Sequence, residues 1–301
     1  MRNKFLILTE GATASHWISS ALSADKDIFC SHGYTFPPKV YKDGYSYLKE
    51  AENRKKYRSR LTNLSIGEYF KELEENISKK NIGAIHLFNY SHINGEKDQA
   101  LIKNIKIVSI VRNPITRIQS FYEHFLYQAP RDDLLKKDLN DWVEKNISLK
   151  NIQYFLKQKY PKIDLKDSKN IYFLAALGIT NSASGNLYES LKQNIKCFKY
   201  EDITSDKKIQ QKFLNCILTD SEHKVKDLFL NKKTNVHRKV SLNGLSCYES
   251  WENWKKNSFN YLFNGYFDMY QRNFDYQMPK TSIIDVFKKY FYIKYLEFKN
   301  K

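Results

Sequence analysis

The sequence predicts an α/β protein in which a central parallel sheet is flanked by helices. Short, continuous apolar segments alternate with segments of helical pattern along much of the chain. Strands that are buried on both faces have this continuous apolar character, and they occur in parallel sheets covered by helices. The sequence also shows no internal repeat, no low-complexity linker and no boundary rich in Pro and Gly. We therefore expect one domain over residues 1–301.

Five apolar segments are predicted as strands because each is short and bounded by polar or turn residues. In chain order they are KFLILT (4–9), DIFCSH (27–32), IGAIHLF (82–88), KIVSIV (106–111) and IKCFKY (195–200). The stretch at 34–62 is aromatic, basic and irregular, and we expect it to be a long excursion that carries some helix.

The predicted helices lie between and after these strands. Ser65 and Glu68 have the spacing of a capping box, which predicts a helix to about residue 79. Pro114 suits the first turn of a helix that runs to about residue 127. Further helices are predicted near 14–23 and 96–103, through most of the stretch to about 193, and over most of the chain after the fifth strand.

The charge balance is strongly basic, with 50 Lys and Arg residues, 33 Asp and Glu residues and a formal net charge of +17. Such a balance favours anionic partners, which include nucleotides, acidic glycans, nucleic acid and membrane surfaces. The four cysteines have no metal-binding spacing, and no apolar run approaches the roughly 20 residues of a membrane span. The first apolar segment is too short for a signal peptide. We therefore expect a soluble, cytoplasmic protein.

Polar and ionisable residues lie at or directly after the end of each predicted strand. Ligands bind at the carboxyl ends of the strands in open parallel sheets, so these residues are the candidates for a site. They are Thr9 to Trp17, Ser31 to Gly33, His86, Arg112 to Pro114, and Tyr200 to Asp202.

The turn after the first strand has the residue types of an anion-binding loop. Gly11 permits a tight turn, and the N–H groups of residues 12–16 would converge on one anion with help from the helix dipole. Thr13 and Ser15 add hydroxyl donors. The GxxxxGK[ST] pattern is absent, which disfavours an ordinary ATP or GTP site. The alternative is that Gly11 only serves the turn and Ser15 only caps the helix.

Arg112 and Ser120 form a second candidate. A guanidinium group at the end of a strand, together with a hydroxyl group on the following helix, binds a phosphate well. The alternative is that Arg112 pairs with a neighbouring carboxylate and that Ser120 has no role in a site.

These motifs together resemble the sulfotransferases that use 3′-phosphoadenosine 5′-phosphosulfate (PAPS). In that family a motif R-[DN]-P-x-x-R-x-x-S-x-Y binds the 3′-phosphate, and residues 112–122 read RNPITRIQSFY. A Tyr-Glu-Asp-[LI] segment is also usual, and residues 200–203 are YEDI. The first strand, turn and helix match the family's cradle for the 5′-phosphosulfate at residues 5–22.

The resemblance implies a P-loop-like sulfotransferase fold with helical additions, PAPS as the sulfuryl donor, and no metal. It implies that Arg112 and Ser120 hold the 3′-phosphate and that Tyr200 orders the adenine side. A basic loop containing Arg238 and Lys239 would cover the nucleotide. The residues implied for the 5′ side are Gly11, Ala12, Thr13, Ala14, Ser15, His16 and Trp17.

Two histidines compete for the role of general base. His86 lies near the end of the third strand, where cytosolic members of the family carry a catalytic histidine. His32 follows the second strand, where glycan-modifying members place an acidic base. The loop TEGATASHW departs from the family because it has no Lys or Arg to act on the transferring group. The candidate replacements for that donor are His16 and a cation that reaches in from residues 34–62.

The acceptor is less closely defined. Aromatic and basic residues in 34–62 and 129–194 suit a carbohydrate or glycolipid hydroxyl or amine, and nucleic acid is disfavoured. The C-terminal segment VFKKYFYIKYLEFKNK either packs on the domain or contacts an anionic membrane peripherally. The alternative function is a non-catalytic protein of the same fold that binds a nucleotide or a polyanion. A P-loop phosphotransferase is third, because the Walker lysine is absent.

Overall fold

A computed structural model describes residues 2–9, 15–32, 64–218 and 244–280. The predictions made for residues 10–14, 34–62 and 237–239 and for the C-terminal segment lie outside the described residues. The chain divides into two compact units, one within Met1–Arg112 and Asn186–Lys239, the other within Asn113–Gly185 and Val240–Lys301. The expectation of one domain over residues 1–301 stays a prediction.

The first unit contains a five-stranded sheet in which all described pairs of strands are parallel. Its strands are β1 (Asn3–Leu8), β2 (Ile28–His32), β3 (Asn81–Ile85), β4 (Ile105–Val111) and β5 (Lys196–Lys199). The strand order is β2-β3-β1-β4-β5. β2 and β3 therefore lie on one side of β1, and β4 and β5 lie on the other side. In open α/β sheets, ligands bind at the carboxyl edge beside the strand where the order changes side in this way.

Helices account for much of the remaining described chain. In chain order they are α1 (Ser15–Ser23), α2 (Ile66–Asn76), α3 (Tyr90–Gly95), α4 (Gln99–Lys103), α5 (Pro114–Gln128), α6 (Asp133–Lys145), α7 (Ile147–Lys159), α8 (Ser168–Lys192), α9 (Tyr200–Ser205), α10 (Lys207–Ile217), α11 (Gly244–Glu249), α12 (Asn253–Phe263) and α13 (Phe267–Phe274). Within the described residues, no helix has the length and apolar character that a membrane crossing requires.

Both faces of the sheet are covered by apolar clusters, which explains the continuous apolar strands. Phe5 and Ile7 of β1 pack on one face with side chains from α1, α9 and α10. Leu6 and Leu8 pack on the other face with side chains from α2 and α3. Successive side chains of a strand point to opposite faces, so a strand covered on both sides must be apolar throughout. The predicted α/β class with a central parallel sheet is confirmed.

The second unit is helical in its described part. Asn113 caps α5, since its side-chain oxygen accepts from the N–H groups of Ile115 at 3.0 Å and Thr116 at 3.4 Å, and Pro114 occupies the first turn. Gly244, at the start of α11, lies so close to Asn113 that an added Cβ would be 2.5 Å from the amide nitrogen. The unit has its own aromatic core, with Phe173 in edge-to-face contact with Trp251 and Trp254.

Several predicted boundaries were wrong. The third strand ends at Ile85 rather than at residue 88, because His86 adopts a left-handed backbone conformation that ends the strand. The fifth strand ends at Lys199, so Tyr200 opens α9. The segment predicted as one helix at 96–103 is helical only from Gln99 onward, as α4. Residue Glu96 ends α3 instead, and its carboxylate accepts from the N–H groups of Ile66 and Gly67.

Candidate active site

The carboxyl edge of the sheet brings predicted site residues of the first unit together. Ile85 of β3 pairs with His32 of β2 and with Ile7 of β1, so His86 and Thr9 extend from this edge beside His32. On the other side of β1, Val111 pairs with Lys199, so Arg112 and Tyr200 follow at the same edge. Within the described part of this unit, Thr9, His32, His86, Arg112 and Tyr200 therefore line one edge of the sheet.

His86 is fixed by its backbone and by its ring. Its φ is 64°, in the left-handed region, where a residue other than glycine costs about 1–2 kcal/mol. Its N–H group donates to the carbonyl of Ile7 at 3.3 Å, and Nδ1 lies 2.9 Å from the carbonyl oxygen of Thr9. A carbonyl oxygen only accepts, so Nδ1 carries the hydrogen. In the neutral ring the lone pair is therefore on Nε2, which is the arrangement that a general base requires.

His32 is held differently, through the other ring nitrogen. Its Nε2 lies 2.9 Å from Oγ of Ser15, the first residue of α1. The centroids of the His32 and His86 rings are 5.5 Å apart, with an angle of 38° between the ring planes. The structure therefore brings three predicted site residues into one cluster, formed by Ser15, His32 and His86.

A buried tyrosine holds the end of β2 in place. The Tyr69 hydroxyl hydrogen-bonds to the Ser31 hydroxyl and lies 3.3 Å from the carbonyl oxygen of Gly83. Burial raises the pKa of Tyr69 well above its usual range, so the hydroxyl stays protonated. The sequence analysis did not identify Tyr69 as part of the site, because its contacts join α2 to β2 and β3.

A row of serines on α1 bonds to residues of β2. Oγ of Ser19 donates to the carbonyl of Cys30 at 2.6 Å, and Oγ of Ser23 does so at 3.1 Å. Ser15, Ser19 and Ser23 are four residues apart, so they share one face of the helix. That face lies on β2, and it places Ser15 against His32. The four-residue spacing was a signal in the sequence that could have revealed this contact.

Arg112 and Tyr200 meet on the other side of β1. The guanidinium carbon lies 4.8 Å from the centroid of the Tyr200 ring, within the range of a cation–π contact. Both side chains are partly buried. Tyr200 also packs against the apolar cluster on one face of the sheet. The ring therefore restricts the orientation of the guanidinium group that the sequence predicts as a phosphate ligand.

For the remaining predicted site residues, the structure gives fewer contacts or none. Trp17 is partly buried and packs against the apolar cluster that includes α1. Ser120 lies on α5 in the second unit, and its contact with the same phosphate as Arg112 stays a prediction. His16 is the second residue of α1, and its side chain is outside the description. The residues outside the described ranges are Gly11, Ala12, Thr13, Ala14, Arg238 and Lys239.

Cys30 and Cys197 of the first unit are unsuited to nucleophilic chemistry. Burial raises the pKa of Cys30 far above its usual range and the pKa of Cys197 to about 11. Both groups are therefore thiols rather than thiolates near neutral pH. Among the described residues, no group of three or more His, Cys, Asp and Glu side chains is arranged to hold a metal ion.

The described residues define an α/β protein with an all-parallel sheet and a histidine-containing carboxyl edge. Two solved structures are similar to it. A sulfotransferase from Alicyclobacillus acidocaldarius has a TM-score of 0.47 and 14% sequence identity, over 92% of this chain and 98% of that chain. The sulfotransferase domain from the curacin biosynthetic pathway has a TM-score of 0.43 and 13% identity, over 96% of each chain. No protein-family model and no curated protein matches the chain.

Proposed function

We propose that the chain is a sulfotransferase that moves a sulfuryl group from PAPS to a hydroxyl or amine group of an acceptor. The observation that carries the proposal is the fixed ring of His86. Its Nδ1–H is held by the Thr9 carbonyl at 2.9 Å, so Nε2 is the basic nitrogen at the carboxyl edge of the sheet. The RNPITRIQSFY segment directly after β4 supports the choice of PAPS, because its Arg-to-Ser spacing matches the 3′-phosphate motif.

The chemistry of the donor set fits an anionic nucleotide. Arg112 offers a guanidinium fork whose plane is restrained by Tyr200, and Ser15 offers a hydroxyl group at the start of α1. We assign Arg112 to the 3′-phosphate and the segment from Gly11 to Trp17 to the 5′-phosphosulfate. Charged hydrogen bonds of this kind are among the strongest that a protein makes with a phosphate.

In the proposed reaction, different residues act on the acceptor and on the leaving phosphate. His86 Nε2 takes the proton of the acceptor hydroxyl or amine group as the acceptor atom bonds to sulfur. The resulting imidazolium keeps its Nδ1–H on the Thr9 carbonyl, so the ring need not turn. Donors of the first loop and of α1 would stabilise the charge that grows on the leaving phosphate. PAPS supplies the sulfuryl group, and the electron pair of the broken S–O bond leaves with the phosphate.

We further propose a carbohydrate or lipid-linked acceptor. Sugars bind through stacking on aromatic rings and hydrogen bonds to polar groups, and the segment at 129–194 contains both aromatic and basic residues.

A second candidate function is non-catalytic binding of a nucleotide or polyanion. It is favoured by one feature of the sequence, the absence of Lys and Arg from TEGATASHW. A protein of this kind would bind PAPS or its product without efficient transfer.

Calorimetry and a transfer assay test the proposal. We expect adenosine 3′,5′-bisphosphate to bind more tightly than ADP or ATP, because only the bisphosphate has a 3′-phosphate. Equal affinity for the three nucleotides would remove the support for a PAPS site. Transfer of labelled sulfate from PAPS to a panel of glycans and glycolipids then separates the enzyme from the binding protein.

A further inference from the structure

The serine row of α1 has one member whose partner differs from the others. Ser19 and Ser23 bond to the backbone carbonyl of Cys30, which is a structural role. Ser15, at the end of the row nearest the sheet edge, bonds instead to the ring of His32. An imidazole can donate or accept at Nε2, so either Ser15 or His32 can be the donor of the hydrogen bond between them. In the bonds of Ser19 and Ser23 to the Cys30 carbonyl, only the serine can donate.

The donor in the Ser15–His32 hydrogen bond is determined if Ser15 also binds an anion. A hydroxyl group has one proton, and a phosphate or sulfate oxygen only accepts. If Ser15 donates to the anion, its oxygen must accept from its other partner. His32 must then carry its hydrogen on Nε2, whereas His86 carries its hydrogen on Nδ1.

We propose that His32 is a positioning residue that donates from Nε2 to Ser15 and so directs the Ser15 hydroxyl proton toward the 5′-phosphosulfate of the donor. This inference rests on the proposed function and deepens it. It assigns different work to the two histidines of the cluster. His86 receives the proton of the acceptor, and His32 acts on the donor through Ser15.

The contact of His32 with Ser15 also bears on the choice of base. Nε2 is the nitrogen at the far end of the imidazole ring, and in His32 it is 2.9 Å from Ser15. In His86 it is Nδ1 that is held, by the backbone carbonyl of Thr9 directly after β1. Two rings with centroids 5.5 Å apart are therefore anchored at opposite nitrogens, which favours different roles.

Two substitutions of His32 separate positioning from mere packing. The amide nitrogen of Gln lies about as far along the side chain as Nε2 of histidine, so His32→Gln keeps a donor for Ser15. The amide of Asn is one carbon shorter, so His32→Asn loses that donor. We expect His32→Asn and Ser15→Ala each to weaken binding of adenosine 3′,5′-bisphosphate roughly tenfold or more, while His32→Gln stays within about threefold of the wild-type affinity.

A double-mutant cycle shows whether the two residues act together. The His32→Asn/Ser15→Ala protein should bind the bisphosphate no more weakly than Ser15→Ala alone, because His32 acts through Ser15. Ser19→Ala is the matched control from the same serine row. It should lower the melting temperature and leave nucleotide affinity unchanged. Losses that add in the double mutant would overturn the inference, as would unchanged affinity in His32→Asn.

Nitrogen chemical shifts of labelled histidine give a readout that packing alone does not move. With the bisphosphate bound, we expect the hydrogen of His32 on Nε2 and the hydrogen of His86 on Nδ1. A His32 ring that is protonated only on Nδ1 in the complex would contradict the proposal. A wild-type chain that does not bind the bisphosphate would overturn both this inference and the proposed function. Binding without coupling between His32 and Ser15 would overturn the inference alone.

Discussion

At the scale of single residues, the candidate site depends on which atom of each side chain is held. The position of His86 at a strand end was visible in the sequence. Its left-handed backbone and its bond to the Thr9 carbonyl were not, because both depend on β1 lying beside β3. The same is true of His32, since its partner Ser15 is 17 residues away in sequence. Residue type predicted the candidates, and tertiary structure distinguishes the contacts that hold them.

The first prediction concerns His86. His86→Ala should lower turnover by roughly 10²–10⁴, the usual contribution of a general base, with nearly unchanged affinity for adenosine 3′,5′-bisphosphate. His86→Gly should lose activity to the same extent but be about 1 kcal/mol more stable than His86→Ala, because glycine adopts φ of 64° without the cost of a Cβ. Steady-state kinetics and denaturant unfolding measure the two effects.

The outcome for His32 provides the contrast. If turnover survives in His86→Ala and is abolished in His32→Ala at saturating PAPS, the base has been assigned to the wrong histidine.

The second prediction concerns Arg112 and its aromatic partner. Arg112→Ala should weaken binding of adenosine 3′,5′-bisphosphate by about 1.5–3 kcal/mol, the range for a hydrogen bond to a charged group. Tyr200→Leu should weaken it by about 0.5–1 kcal/mol through loss of the cation–π contact, whereas Tyr200→Phe keeps the ring and should change little. Calorimetric titration of each variant gives these differences.

Adenosine 5′-monophosphate is the matched ligand, because it lacks only the 3′-phosphate. Its affinity should barely change in Arg112→Ala. Equal losses for the two ligands would mean that Arg112 does not recognise the 3′-phosphate.

At the scale of elements, continuous apolar segments located all five described strands, because burial on both faces leaves a clear pattern. The sequence also predicted the capping box of α2, which is confirmed. The Glu68 N–H group donates to Ser65 Oγ at 3.1 Å, and the Ser65 N–H group donates to Glu68 Oε2 at 2.8 Å. Element ends were less predictable. β3 stops early because of the His86 backbone, and α2 ends at Asn76 rather than near residue 79.

The third prediction tests the packing of the central strands. Gly83 of β3 pairs with Phe5 of β1, and an added Cβ would lie 2.4 Å from the Phe5 carbonyl oxygen and 2.5 Å from its ring. Backbone and a buried ring have little freedom to move, so Gly83→Ala should destabilise the protein by about 1–3 kcal/mol. Urea unfolding measures this loss.

Gly95→Ala is the control, because a Cβ at Gly95 meets nothing within 4 Å, and it should change stability by no more than about 0.5 kcal/mol. Similar stabilities for the two variants would show that the strands adjust to the added methyl group.

At the scale of the whole molecule, the excess of positive charge and the candidate site at the sheet edge are both suited to the anionic ligand that we propose. The described residues of that edge belong to one unit, which has its own apolar clusters on both faces of the sheet. The net charge of +17 raises the local concentration of any anion, so it does not by itself distinguish an enzyme from a binding protein. That distinction depends on whether a donor stabilises the leaving phosphate.

The fourth prediction addresses this distinction through the loop after β1. His16 is the only ionisable side chain between Gly11 and Trp17, and a neutral imidazole can still donate one hydrogen bond. We expect His16→Ala to lower single-turnover sulfuryl transfer by at least about tenfold with a much smaller change in PAPS affinity, because the interaction is made chiefly in the transition state. Ala12→Lys or Thr13→Lys should recover part of the rate by supplying the cation that the loop lacks.

The measurement is transfer of labelled sulfate from PAPS to the acceptor panel, with slow hydrolysis of PAPS followed in parallel. Tight binding of the bisphosphate without transfer or hydrolysis, and without rescue by either lysine, would make the non-catalytic binding protein the better description.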